Sequence, residues 1–429
     1  MDKSGKAGNH GGNIRSDCLV SLELTSGGGI QLDLRSKVGI LYGTSIRNRV
    51  EAVMDHFDVR NARILIEDSG ALDFVLAARL EAAVLKATGR TGSYLLPENQ
   101  DIRKNDQKTG KDGQHTPKEN QNLPVDHPAP DGRRSRFRLT RLYLPGNTPS
   151  MMINAGIHRP DGVILDLEDS VALEKKMEAR ILVRNALRAL NFYGAERMVR
   201  INQLPEGIRD LGALSSNWPE LILVPKVEGP GQIQAVEKEI LKLGGNAASV
   251  LLMPILESAM GIEKAFEIAV SSKNIVAMAI GLEDYAADLG VRRTEEGNES
   301  LYARSRMVNA CRAAGIQAID SVYADVDNEA GLRKTVLQSR SMGFEGMGCI
   351  HPRQIPVIRE AFQPTAGELD KAKKIVRAFD HAEKQGIGVV SLGSKMIDPP
   401  VVKGALRTLN LAIRMNLIPE NWREEDETS

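Results

Sequence analysis

The stretch Asp161-Gly-Val-Ile-Leu-Asp-Leu-Glu-Asp-Ser-Val171 is an apolar run that stops on carboxylates. Val163, Ile164, Leu165 and Leu167 leave no polar alternation, as a strand covered on both faces requires. Glu168 and Asp169 then mark its C-terminal end. In a parallel sheet or barrel the β-to-α loops converge there and aim side chains from several strands at one small volume. Read alone, the two acids serve equally well as a solvated turn favouring the N-terminal dipole of the helix opening at Ser170.

Outward from this stretch the pattern repeats. Leu142–Leu144, Gly162–Leu167, Met198–Asn202, Leu221–Pro225, Val250–Leu256, Ile275–Ile280, Gln317–Val322 and Gly346–Ile350 are short apolar runs separated by amphipathic segments such as Lys175–Leu190 and Gly229–Leu243. Eight βα units over residues 137–412 predict an α/β fold, a (β/α)8 TIM barrel, with a doubly wound sheet as the alternative. Residues 413–429 are read as a C-terminal tail.

The first ninety residues have another texture. Alternation in Cys18–Leu34 reads as two strands joined into a hairpin through Ser26-Gly-Gly-Gly29. Ser45–Phe57 has helical spacing, Ala62–Glu67 reads as a strand, and the alanine and leucine content of Leu72–Ala87 favours helix. A small α+β domain over residues 12–89 follows. Residues 90–136 turn to Gly, Pro, Asn, Gln, Lys and Asp, too polar to offset the entropy of ordering, and predict a flexible, disordered linker.

Composition excludes some functions. With 429 residues and 42% hydrophobic content the chain holds ample core, and 56 basic against 56 acidic residues leave no global field for nucleic acid or an anionic membrane. Cys18, Cys311 and Cys349 show no metal-type spacing and suit a reducing compartment, so a cytoplasmic protein without membrane insertion is expected.

The expected strands end in Asp166/Glu168/Asp169, Arg200-Ile-Asn202, Lys226, Glu257-Ser258, Glu283-Asp284 and Ile350-His351-Pro352. Singly, each reads as a buried polar group or a helix cap, and His351 before Pro352 reads as a helix start. Together they form a ring. Glu257 and Asp284 offer hard oxygens for Mg2+, and Arg200 offers a positive fork for a carboxylate or a developing enolate.

From Arg138 to about Ala405 the chain resembles the citrate lyase beta subunit, within the wider aldolase and malyl-coenzyme A lyase family. The resemblance rests on Leu142-Tyr-Leu-Pro-Gly-Asn147, Ile164-Leu-Asp-Leu-Glu-Asp-Ser-Val171, Val199-Arg-Ile-Asn202, Ile255-Leu-Glu-Ser258 with Gly261, and Gly281-Leu-Glu-Asp-Tyr285. It continues in Ala314-Gly-Ile-Gln-Ala318, Asn328-Glu-Ala-Gly331, Ile350-His-Pro-Arg-Gln-Ile355, Gly388-Val-Val-Ser391 and Lys395-Met-Ile-Asp398. It implies that Glu257 and Asp284 bind metal, that Arg200 binds substrate with Asn202, Glu168 and Asp169 near it, and that Asp398 is the acid/base carried over a neighbouring subunit of a homo-oligomer, trimer or hexamer. Where relatives read Arg-Arg-Ser, this chain has Arg138-Leu-Thr140 and then Arg141, with Arg138 taken as the retained partner of the thioester arm.

The N-terminal domain resembles the citrate lyase gamma subunit, an acyl carrier protein, in Arg47–Val53, Asp68-Ser-Gly-Ala-Leu-Asp73 and Ala78-Arg-Leu-Glu-Ala82. That resemblance implies a covalently bound phosphoribosyl-dephospho-CoA, a phosphopantetheine-like prosthetic group. Its nearest attachment serine is Ser16, in Ile14-Arg-Ser-Asp17. A carrier tethered to its lyase raises the local concentration of acyl substrate without fixing an orientation. The expected reaction is cleavage of a citryl thioester to an acetyl thioester and oxaloacetate, with a citrate lyase alpha-like transferase subunit as a possible partner. Two alternatives stay open: a lyase or thioesterase for another 3-hydroxyacyl thioester such as a malyl one, and a non-catalytic carrier or scaffold component.

Overall fold

The computed structural model describes residues 3–96, 132, 134–245, 250–384, 390–392 and 395–425. All eight expected barrel strands are present: β5 (Thr140–Pro145), β6 (Gly162–Asp166), β7 (Glu196–Arg200), β8 (Leu221–Val224), β9 (Leu251–Leu256), β10 (Ala277–Ile280), β11 (Gln317–Ile319) and β12 (Met347–Cys349). They run parallel in the order β11-β10-β9-β8-β7-β6-β5-β12, and a bridge between Asp320 and Met347 joins the two ends into a nearly closed barrel. Their inward side chains, among them Ile164, Met198, Leu223, Met253, Ile255 and Ile319, fill the interior. Side chains facing out are buried too, which is why β8 and β9 are apolar throughout.

The N-terminal domain contains β1 (Ser4–Gly8), β2 (Cys18–Leu24), β3 (Ile30–Ser36), α1 (Gly39–His56), β4 (Ala62–Asp68) and α2 (Asp73–Thr88). Its sheet order is β1-β2-β4-β3, so the expected β2–β3 hairpin does not form. The Gly-rich turn instead carries β3 past β4, which it joins in parallel, and β2 pairs antiparallel with β1 and β4. The sheet therefore begins upstream of the expected start at Gly12. A Cβ at Gly5 of β1 would fall 2.0 Å from Ala83 O, so this strand must be small to lie against α2.

Helix α2 is apolar nearly all round because it is covered on two sides. One side packs on the sheet, the other on α3 (Lys176–Ala189), the barrel helix after β6. Its charged residues cross that interface in pairs. Arg79 forks onto Asp17 at 2.9 and 3.0 Å, lies 3.4 Å from Glu178 and donates to Asn147 O at 3.1 Å. Glu178 also accepts from Gly8 N at 2.8 Å and from Lys86, and Arg184 forks onto Glu81 at 2.9 and 2.6 Å. Burial pushes the Glu178 carboxyl up, but the Lys86 ammonium and the Gly8 N–H outweigh it and hold it below its ordinary value.

The carrier-like domain is thus held in one orientation on the barrel, against the expectation of a freely oriented carrier. The start of the expected linker takes part: Tyr94 O accepts from Arg184, Leu96 O accepts from Arg188, and Leu96 is buried. Its apolar and aromatic residues pack where composition alone reads polarity. The remainder of the linker, 97–131, lies outside the described residues.

A second compact unit comprises Glu329–Leu337 and Pro356–Ser429. It contains α4 (Ala366–Lys384), the hairpin β13 (Val390–Leu392) and β14 (Lys395–Ile397), α5 (Pro399–Arg414) and α6 (Trp422–Glu425). Ala372, Val376, Ile397, Leu409 and Trp422 form its core, so part of the expected tail is structural.

Candidate active site

A cavity of about 830 Å³ opens at the C-terminal end of the barrel strands. Asp166, Asp169, Arg200, Glu257 and Asp284 line it, and Glu168 stands just behind the lining. Arg200, at the end of β7, reaches across to the end of β6. Its Nε and Nη2 donate to the two Asp166 oxygens at 2.7 and 2.8 Å, and Nη1 donates to Asp169 at 3.3 Å. Nη1 also lies 2.8 Å from Glu168 Oε2 without hydrogen-bond alignment, so both Glu168 oxygens remain without an aligned donor. Lys226 Nζ adds a second cation 3.5 Å from Glu168. Burial raises the Asp166 carboxyl, but the Arg200 fork outweighs it and holds the group below its ordinary value. For Glu168 burial wins, and its pKa is pushed up to about 7.

Glu257 follows β9 and is buried, and its Oε2 has no partner. Burial, then the nearby charges of Glu168 and Asp284, push it up to about 9. Gly281 makes room for it: a Cβ there would lie 2.7 Å from Glu257 Cγ. Asp284 sits in the first turn of the helix Leu282–Asp288 and has no hydrogen bond or ion pair among the described residues, whereas its neighbour Glu283 pairs with Arg293 at 2.6 Å.

An orphaned buried carboxylate beside an unpaired one fits a hard divalent cation. Among the described residues no three His, Cys, Asp or Glu side chains converge on one point. Two carboxylates suffice for Mg2+, whose remaining positions go to water and substrate oxygens.

Other candidates are placed differently. Arg138 is fully buried at the opposite, N-terminal end of the barrel, where it forks onto Glu196 at 2.7 Å through both Nε and Nη2 and bonds Gln317, so it is a structural residue away from the cavity. Asn202 donates its backbone and side-chain N–H to Asp210 at 2.6 and 2.8 Å and does not line the cavity. His351 lines it, with Nδ1 accepting from Arg353 N at 3.1 Å. Asp398, in the second unit, is the N-cap of α5, its Oδ1 accepting from Val401 N at 3.2 Å.

Ser16 has a positive φ of 56° and precedes Asp17, the buried partner of Arg79. Arg141 and Tyr143 are among the cavity residues that escaped the strand-end reading, the Tyr143 ring lying 5.4 Å below the Arg200 guanidinium. Both point inward from within β5 rather than from its end; Tyr143 stands in the quoted Leu142-Tyr-Leu-Pro motif and Arg141 immediately before it.

Fold and site together define a (β/α)8-barrel enzyme with an acidic centre at its catalytic face. Residues 139–352 match the HpcH/HpaI aldolase/citrate lyase family, and residues 6–87 match the acyl carrier family described as malonate decarboxylase delta subunit. The citrate lyase subunit beta of Escherichia coli K12 is 38% identical over 286 residues, 65% of this chain and 95% of that one. The mitochondrial citramalyl-CoA lyase of Rattus norvegicus is 34% identical over 63% of this chain and 85% of its own length. A crystal structure of the protein CitE from Mycobacterium tuberculosis in complex with magnesium, acetoacetate and coenzyme A superposes with a TM-score of 0.56 at 30% identity, covering 65% of this chain and 99% of that one. The chain belongs to the HpcH/HpaI aldolase/citrate lyase family and is an oxo-acid lyase of the citrate lyase beta type, preceded by an acyl-carrier-type domain.

Proposed function

We propose that this lyase cleaves a citryl thioester to an acetyl thioester and oxaloacetate. The observation that carries the reading is the buried Glu257 oxygen without a partner, in a cavity at the catalytic end of the barrel that Asp284 also lines. Glu257 and Asp284 would hold Mg2+, as the relative with bound magnesium supports. The bound ion supplies Lewis-acid polarisation of the substrate's hydroxyl and carboxylate oxygens.

The chain's own residues do the rest. Asp166 fixes the Arg200 fork, whose charge faces the cavity and favours the enolate left on the thioester fragment. Lys226 adds positive charge on the same side. Asp398 of an adjoining subunit would deliver the proton to the enolate carbon, the role implied by its motif. Ser16 would carry the phosphoribosyl-dephospho-CoA arm.

The test is a Mg2+-dependent assay of citryl thioester cleavage, with oxaloacetate detected by reduction to malate, on protein purified from its native host and weighed intact. Oxaloacetate release that stops on chelation supports the reading. A covalent adduct lost in Ser16→Ala supports the carrier site, and an adduct retained in that variant refutes it. A second reading, cleavage of a citramalyl thioester to pyruvate, is favoured by the 34% identity to citramalyl-CoA lyase, and its product separates it in the same assay.

A further inference from the structure

Arg141 carries a charge that the protein leaves unbalanced. It is 1% exposed, projects inward from β5 and lines the cavity below the carboxylates at its mouth. Among the described residues its guanidinium makes one hydrogen bond, Nη1 to Met253 Sδ at 2.9 Å, and no ion pair, and its Nε has no partner. Glu196, the carboxylate that acts on it electrostatically, has both oxygens engaged by Arg138, and Asp320, which also lines the cavity, is paired with Arg304. The strand register sets Arg141 beside Gly162 on β6 and Gly348 on β12, and the space over those glycines is taken by Met198 and by Val322 and Tyr143, none of which carries a charge to balance it. A buried, hydrogen-bond-poor cation costs stability unless an anion meets it.

We infer that Arg141 forms a cationic, anion-binding subsite at the cavity floor that takes the second carboxylate of a dicarboxylic 2-oxo acid. The cavity then has two charged levels. Acidic side chains at the mouth take one end of the ligand through a cation, and Arg141 takes the other end directly. A four-carbon 2-oxo diacid, or the 3-hydroxy thioester that yields it, has carboxylates at both ends, whereas pyruvate or glyoxylate leaves Arg141 uncompensated. The inference rests on the Mg2+-dependent lyase reading and narrows it to substrates that release a diacid.

The experiment is a calorimetric titration of the full chain with oxaloacetate and with pyruvate, each in the presence of Mg2+, for the unaltered protein, Arg141→Met and Arg141→Lys. Oxaloacetate is expected to bind the unaltered protein at least about tenfold tighter than pyruvate, as a desolvated charge pair provides. Arg141→Met should erase most of that preference while leaving pyruvate binding unchanged, and should melt no lower than the unaltered protein. Arg141→Lys should keep part of the preference, and carries the comparison if the methionine variant does not fold. Equal binding of the two acids by the unaltered protein, or an equal loss of both in Arg141→Met, overturns the subsite and leaves the lyase reading standing. Binding of neither acid overturns both.

Discussion

Three carboxylates near one cavity have different neighbours and so different states. Asp166 is ionised by its Arg200 fork, while with no cation bound Glu257, raised to about 9, holds its proton at neutrality and Glu168, raised to about 7, is about half protonated. A cation held by Glu257 must displace that proton. Mg2+ affinity is therefore expected to rise with pH between about 6 and 9, with proton release on binding, measurable by calorimetry in buffers of different ionisation enthalpy. The same shift has a stability sign. The folded state keeps the Glu257 proton above the pH at which the unfolded chain loses it, so metal-free stability falls as pH rises from about 4.5 toward 9. Asp284→Ala is expected to lower turnover by more than about a hundredfold, since even residues behind metal ligands cost about 10–100-fold, while the melting curve hardly moves because its carboxylate makes no hydrogen bond or ion pair among the described residues. Near-normal turnover in this variant removes Asp284 from the site.

The α2–α3 interface is the element on which the arrangement of the first unit depends. Glu178 stands where Arg79, Lys86, Lys175 and the Gly8 N–H converge; its removal leaves Arg79 its Asp17 fork but leaves the buried Gly8 N–H without an acceptor. Glu178→Ala is expected to cost about 1–3 kcal/mol of stability in a denaturant titration, the usual penalty for an unsatisfied buried donor. Arg79 also donates to Asn147 O in the loop after β5, a further tie between α2 and the barrel. A cost below about 1 kcal/mol would show that the helices do not depend on this contact. Asp398 is a milder case: as a helix N-cap its replacement by alanine costs about 1 kcal/mol. A far larger loss of activity than of stability in Asp398→Asn would separate catalysis from capping.

Across the whole molecule, a docked carrier domain changes what the linker does. If ion pairs and α2 packing hold the two domains, cutting the chain within residues 97–131 leaves both pieces together. After limited proteolysis, size-exclusion chromatography is expected to show one peak containing both fragments, and separation of the fragments would refute a permanent interface. The proposed sharing of sites between subunits is tested by co-expressing Asp398→Asn with Asp284→Ala. Each is expected to be inactive alone, and purified mixed oligomers are expected to recover activity where an intact Asp398 meets an intact Asp284. No recovery in confirmed mixed oligomers rejects the shared site.

The sequence by itself determined the barrel and the ring of groups at its strand ends. Burial on both faces forces continuous apolar runs such as Ile164-Leu165 and Leu221–Val224, and a run that stops on Glu168 or Glu257 must place that acid at the strand's end. Pairing across distance followed no such local rule. The partner of β2 depended on where β4 entered the sheet, β1 was too short and glycine-rich to display a period, and α2 showed its second buried side only as a surplus of apolar residues. The same holds for the arginines. Arg138, Arg141 and Arg200 carry one charge each in the sequence, but the fold gives Arg138 a carboxylate at the barrel floor, surrounds Arg200 with three, and leaves Arg141 with a thioether. Tertiary structure alone decided which of them is satisfied, because the strength of a buried charge depends on the groups that distant strands bring beside it.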